Sequence, residues 1–213
     1  MLHWGTSELD GAGAKRIDVG EDINVKKSFG ARTLIHPLPV WLVGTYDRDG
    51  KPNAMTASYG GICCHQPPCV TVSLRKATYS YGSIMFRKAY TINVPSQAQV
   101  AAADYFGTAT GRTEDKFAAT GMTPVRSDLV DAPYIAEVPL VLECRVIHTH
   151  EIGLHTQFIG EILDVKADED VIGADGFPDV EKIQPFIYAI SCRAYYGIGE
   201  QLERAFSIGD TLK

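Results

Sequence analysis

Two long strand-compatible runs, residues 138–151 and 154–166, are separated only by Ile152-Gly153. A glycine-containing link this short between runs this long predicts a pair of extended neighbouring strands. Such a pair must be covered by other strands. The rest of the chain supplies them. Residues 39–46, Pro-Val-Trp-Leu-Val-Gly-Thr-Tyr, are strand-rich and end at Asp47-Arg-Asp-Gly50, a strong turn signal. Residues 53–64 resume as a strand, with Ala54, Thr56 and Ser58 on one side and Met55, Ala57 and Tyr59 on the other. Gly60-Gly61 invites a bulge or a close backbone approach. Pro67-Pro68 ends pairing, and residues 69–74, 90–94 and 186–191 read as further strands.

Helices are few and short. Residues 78–88 read as one. Ser96 and Gln99 predict a capping box for a second over 97–106, with Gly107 as its stop. Thr113 is expected to cap a third, with Glu114 and Asp115 in its first turn and Gly121 as its stop. Many strands with few helices predict a mainly β chain, a closed or half-open antiparallel barrel with short helical insertions. Strands alternating with long helices are absent, which disfavours a doubly wound sheet. Residues 1–23 read as a Gly- and charge-rich N-terminal extension, and residues 24–213, tail included, as the barrel domain.

Composition narrows the function. The 213 residues are 45% hydrophobic and 22% charged, which is globular. The net charge of −6, with dispersed bases, argues against nucleic acid. No apolar run approaches a bilayer span, and the first residues lack the apolar core of a secretory signal, so a cytoplasmic location is expected. Five cysteines, 63, 64, 69, 144 and 192, form no CxxC pair and read as reduced thiols.

Several segments could carry chemistry. Residues 53–58 pack small side chains among hydroxyls, so a flat ligand could lie against their backbone; alone, the segment reads more readily as a crowded barrel wall. Ser73-Leu-Arg-Lys-Ala-Thr-Tyr-Ser80 brings two cations, two hydroxyls and free helix N–H groups together, which suits a phosphate monoester and equally suits a solvated helix entry. Neither a P-loop nor a GxGxxG fingerprint is present. Thr110, Arg112 and Lys116 lie in a Gly-bounded loop before another helix, a second anion-friendly spot or a plain connection. Cys144, Val146, His148 and His150 fall on one strand face, but no second cluster with ligand spacing accompanies them, so no metal site is read. Vicinal Cys63-Cys64 has poor disulfide geometry. His155, after Gly153, decides nothing by itself.

In order along the chain, Pro39-Val-Trp-Leu-Val, Gly50-Lys-Pro-Asn-Ala-Met-Thr-Ala-Ser58, Gln66-Pro-Pro-Cys-Val-Thr-Val-Ser-Leu-Arg75, Tyr90-Thr-Ile-Asn-Val-Pro-Ser96, Gly111-Arg-Thr-Glu-Asp-Lys-Phe117 and Gly153-Leu-His-Thr-Gln-Phe-Ile-Gly-Glu-Ile162 resemble the flavin reductase-like, split-barrel flavoproteins, and among them the flavoredoxin group. The tail Arg193-Ala-Tyr-Tyr-Gly-Ile-Gly199 does too. The resemblance implies a homodimer of split barrels with one FMN per protomer near the interface. It implies that Asn53, Ala54, Met55, Thr56 and Ser58 line the isoalloxazine and ribityl chain, that Arg75, Lys76, Thr78 and Ser80 hold the phosphate, and that Thr110, Arg112 and Lys116 lie near the flavin. His155 matches a histidine facing the flavin or nicotinamide region. Leu154 stands where many relatives carry an acid, a departure from the two-component monooxygenase reductases. The activity implied is an FMN oxidoreductase drawing hydride from NAD(P)H. The alternatives are an electron carrier reduced by a redox-protein partner and, further off, a non-redox ligand or metal module.

Overall fold

The computed structural model describes residues 26–212. The chain divides into two compact units between Thr33 and Leu34. In the described part of the first, Arg32 Nε donates to the Phe29 carbonyl at 3.1 Å. The boundary expected near residue 23 lies outside the described residues.

The second unit is built on strands β1 (Leu38–Pro39), β2 (Trp41–Tyr46), β3 (Pro52–Ala57), β4 (Gly60–Cys64), β5 (Cys69–Arg75), β6 (Ala89–Val94), β7 (Pro124–Arg126), β8 (Pro133–Ile135), β9 (Leu140–Ile152), β10 (His155–Ala167), β11 (Phe186–Ala189) and β12 (Ala194–Gly197). Its helices are α1 (Tyr79–Arg87), α2 (Val100–Thr108), α3 (Lys116–Thr120) and α4 (Val180–Ile183). Among the described residues no helix is long and apolar enough to cross a membrane.

Seven strands form one antiparallel sheet in the order β3-β2-β6-β9-β10-β5-β4. The predicted long hairpin is its centre, in register from His155↔Ile152 to Ala167↔Leu140. The sheet's two end strands, β3 and β4, follow each other in sequence with only Ser58 and Tyr59 between them. The sheet therefore curls back on itself, yet β3 pairs only with β2 and β4 only with β5. The barrel is split along that seam, as expected for this fold class.

The expected single strand over residues 53–64 is thus two strands on opposite ends of the sheet. A Cβ on Gly60 would fall 2.4 Å from the Trp41 ring and 2.5 Å from the Thr71 carbonyl oxygen, so the change of partner passes where only glycine fits. The sides predicted for β3 hold. Ala57 and Met55 join the barrel interior with Val43, Val72, Tyr90 and Phe158, while Ala54 joins a second core with Leu42, Ala103, Phe106 and Phe117 under α2 and α3.

Helix ends differ from expectation in two places. The Ser96–Gln99 capping box forms, but around a single 3-10 turn, and α2 then runs through Gly107. Gly107 is there for closeness: a Cβ would lie 3.1 Å from Thr56 Cβ. The N-cap of α3 is Asp115, which accepts from Ala118 N at 3.1 Å, in place of Thr113. Thr113 and Glu114 instead donate their N–H groups to the Thr110 carbonyl, closing a turn before the helix begins. The last expected strand stops at Ala189, and the aromatic tail turns back as β12 to pair with it.

Candidate functional site

The split in the barrel opens into a cleft of about 530 Å³, within the usual range for small-molecule sites. Met55, Thr56, Ser58, Arg75, Thr78 and His155 line it, together with Tyr59, Leu74, Leu154, Tyr188 and Ile190. One wall is β3, which is an edge strand: its backbone groups on the side away from β2 have no ladder partner. The apolar floor comes from Leu74 and Met55.

At Thr78 this cleft meets two others. One, of about 240 Å³, is lined by Asn53, Met55, Thr78, Ser80, Thr110 and Lys116. The other, of about 320 Å³, holds Lys76, Arg112, Arg48 and Tyr79. The common point is the start of α1. A tight β5-to-α1 connection builds it, with Thr78 N and Thr78 Oγ1 both donating to the Arg75 carbonyl, at 3.0 and 2.9 Å. No side chain caps the helix, and its first turn holds no acid. The N–H groups and positive dipole end of a nine-residue helix therefore face the junction of the clefts.

The neighbours of that helix start are fixed. Asn53 Nδ2 donates to buried Ser80 Oγ at 2.9 Å, tying β3 to the first turn of α1. Gly111 lies so close that a Cβ there would be 2.4 Å from Asn53 Oδ1. Tyr79 donates its hydroxyl to Asp47 Oδ2 at 2.6 Å, and its ring sits 5.6 Å under the Arg112 guanidinium. Burial alone would raise the Asp47 carboxyl, but the bonds from Tyr79 and from the N–H groups of Lys51 and Asp49 outweigh it and hold the group below its ordinary value.

On the β10 side of the main cleft, His155 stands directly across from Arg75 in the β10–β5 register. Its ring is tilted against Tyr59, centroids 5.5 Å apart. Strand pairing and a ring contact thus hold the imidazole at the mouth.

Four expected site residues take roles the sequence did not indicate. The Ala54 side chain is fully buried in the second core and lines none of the three clefts. The Thr56 hydroxyl donates to the Ala103 carbonyl and braces β3 against α2. Lys76 pairs with Glu151 at 2.9 Å on the surface, in the outer groove. Lys116 is buried; its Nζ donates to the Phe106 and Ala109 carbonyls at 3.1 and 3.4 Å, and burial pulls its pKa down to about 8. It anchors the turn that carries Thr110 and Arg112. Tyr59 and Tyr188 also line the cleft, and no sequence signal marks them, since aromatics in strand runs look the same whether they face core or cleft.

The Cys144/His148/His150 face does not assemble. An extra residue in β9 between the pairs Val146↔Gly160 and His148↔Ile159 interrupts the alternation, leaving Cys144 buried and both histidines exposed. Among the described residues no group of three or more His, Cys, Asp or Glu is placed to hold a metal.

Comparison with known proteins bears on this geometry. The flavoredoxin of Desulfovibrio vulgaris (Miyazaki F) is 56% identical, with a TM-score of 0.83 over 87% of this chain and 100% of that one. The flavoredoxin of Methanosarcina acetivorans is 27% identical, with a TM-score of 0.81 over 90% of this chain and 100% of that one. The reductase component of the 4-nitrophenol 4-monooxygenase/4-nitrocatechol 2-monooxygenase of Rhodococcus opacus is 30% identical over 123 residues, 58% of this chain and 63% of that protein. Residues 32–191 match the model of the flavin reductase like domain, and the chain belongs to that family.

Proposed function

We propose that this chain is an FMN-dependent oxidoreductase that takes a hydride from NAD(P)H, or electrons from a protein partner, and passes them to an acceptor. The observation that carries this reading is the opening of the split barrel onto the uncapped start of α1. The cleft's residues fit the cofactor's parts. The free edge of β3 offers alternating N–H and C=O groups to a flat heteroaromatic ring, over the apolar surface of Leu74 and Met55. The start of α1, flanked by Arg75, offers N–H donors and a positive dipole to a phosphate monoester. When bound, the flavin supplies the redox chemistry.

The chain's own residues bind and orient. N–H donors at the β3 edge would stabilise negative charge on a ring held there, because they are fixed before any charge develops. Arg75 and His155, paired across strands at the mouth, would position a phosphorylated donor despite the net charge of −6, since the local field governs approach. Ser80 and Asn53 hold the helix start in place, and Lys116 holds the loop beside it. A second copy of the chain would complete the open side of the cleft, as a homodimer.

The carrier reading has its own support. Leu154 and Ile152, 73% and 59% exposed, form an apolar lip at the tip of the β9–β10 hairpin, next to His155. Such a lip suits contact with a protein donor.

The test is to load the protein separately with FMN, FAD and riboflavin, desalt it, and titrate anaerobically with NADH and then NADPH. Retention of FMN over riboflavin is expected, with bleaching by one nicotinamide. Retained FMN that neither nicotinamide bleaches would leave the carrier. Equal retention of riboflavin would remove the phosphate from α1, and no retention of any flavin would sink the assignment.

A further inference from the structure

The seam separates the cleft from the other end of the sheet, where three of the five cysteines gather in the β4–β5 hairpin. We propose that Cys64 and Cys69 form a redox-active dithiol that exchanges with low-molecular-weight disulfides and closes to a cross-strand disulfide.

The register carries the argument. Cys64 and Cys69 are direct Cα partners in the antiparallel β4–β5 pair. Partners of that kind have Cα atoms about 4.5 or 5.5 Å apart with side chains on one face. Both spacings fall in the range a disulfide spans, about 4.4–6.8 Å. The pair closes the hairpin just before its turn, so forming the bond moves no distant element.

Access is divided between the two sulfurs. β4 is the last strand of the sheet, and Cys64 is half-exposed there, whereas Cys69 is buried. Burial raises the Cys69 thiol, and the neighbouring sulfurs of Cys64 and Cys63 and the Glu161 carboxylate raise it further. Cys69 is thus shielded from solvent, while Cys64 meets it and is the sulfur a small disulfide reaches first. Cys63 is the extra residue of a bulge between Ile62↔Val70 and Cys64↔Cys69 and has no cross-strand partner.

The exchange balances as follows. The Cys64 thiolate attacks one sulfur of RSSR, an S–S bond breaks, and one RSH leaves after taking a proton. Cys69 loses its proton and attacks the Cys64 sulfur of the mixed disulfide, releasing the second RSH. The protein dithiol gives up two electrons and two protons, and RSSR becomes two RSH.

The experiment uses the full-length protein, loaded with FMN, and glutathione disulfide as the probe. Thiols are blocked with N-ethylmaleimide after incubation, and the products are mapped by peptide mass spectrometry. Expected are loss of two of the five thiols counted after denaturation, a Cys64–Cys69 cross-linked peptide, and its reversal by dithiothreitol. Cys69→Ser should arrest the exchange as a glutathione adduct on Cys64. Cys64→Ser should prevent the cross-link, and Cys63→Ser should leave it unchanged. Five intact thiols in the wild type, an adduct confined to Cys63, or a cross-link running Cys63–Cys64 would overturn the proposal. The wild-type map decides even if a variant fails to fold.

Discussion

The two edges of one sheet, β3 and β4, differ in almost everything although two residues separate them. β3 is mostly buried: one face lies in the barrel, the other under α2, and its free edge looks into a cleft. β4 is mostly exposed, carries Ile62 at 69% exposure, and borders none of the three clefts that meet at Thr78. An edge strand left uncovered is a liability. Here α2 covers one face of β3 and leaves its free edge as a wall of the cleft, while a bulge at Cys63 disrupts β4. The difference shows that the site is made by what closes over β3, whereas the paired strands of β6, β9 and β10 provide the stiffness that keeps the seam in place.

The sharpest test of that division removes a side chain from the paired region. Phe158 is fully buried on β10 among Val72, Tyr90 and Ile84, with Tyr81 at 5.8 Å. Phe158→Ala should cost about 3–5 kcal/mol in urea unfolding. The flavin affinity of the folded fraction should stay within about threefold, since 0.65 kcal/mol corresponds to that ratio. A large loss of affinity would mean that the cleft depends directly on the barrel interior.

Gly60→Ala acts at the seam itself. The new methyl would meet the Trp41 ring and the Thr71 carbonyl, and overpacking of this kind costs about 1–3 kcal/mol. Here stability and flavin retention should fall together, read by urea unfolding and by flavin remaining after desalting. Asn53→Ala is expected to be smaller. It removes the bond to Ser80, worth about 1 kcal/mol, and loosens the start of α1. Flavin retention should drop by more than stability does, and equal retention would detach α1 from the phosphate.

Legibility follows the same division. The β9–β10 hairpin could be read because one glycine-containing link between two long runs admits few alternatives. Residues 53–64 could not be divided, because Ser58 and Tyr59 carry no break signal; the break comes from Trp41, close in space and distant in sequence. Asp115 and Thr113 are both good N-caps, and only the turn bonds to the Thr110 carbonyl choose between them. Within the site, His155 and the start of α1 were ambiguous as residues and became candidates only through the resemblance of the segments around them. The anchoring role of Lys116 was not, since its burial depends on Phe106, ten residues away.

Lys116 also gives the finest test of the two regions, because each buries one charge. On the paired side, fully buried Glu143 has a counter-ion in Lys166. On the cleft side, Lys116 has carbonyls as its hydrogen-bond partners, and burial lowers its pKa from 10.5 to about 8. Its folded value lies below its unfolded one, so between about pH 8 and 10.5 the unfolded chain binds more protons. Stability contributed at this residue should therefore rise with pH across that window and level off above it. Other groups titrate there too, so the quantity to measure is the difference in urea stability between wild type and Lys116→Met. That difference should shift in favour of the wild type from pH 8 to 10. A difference that stays flat would mean that the ammonium is solvated through the cleft, and the α2–α3 turn would then be open where the structure has it closed.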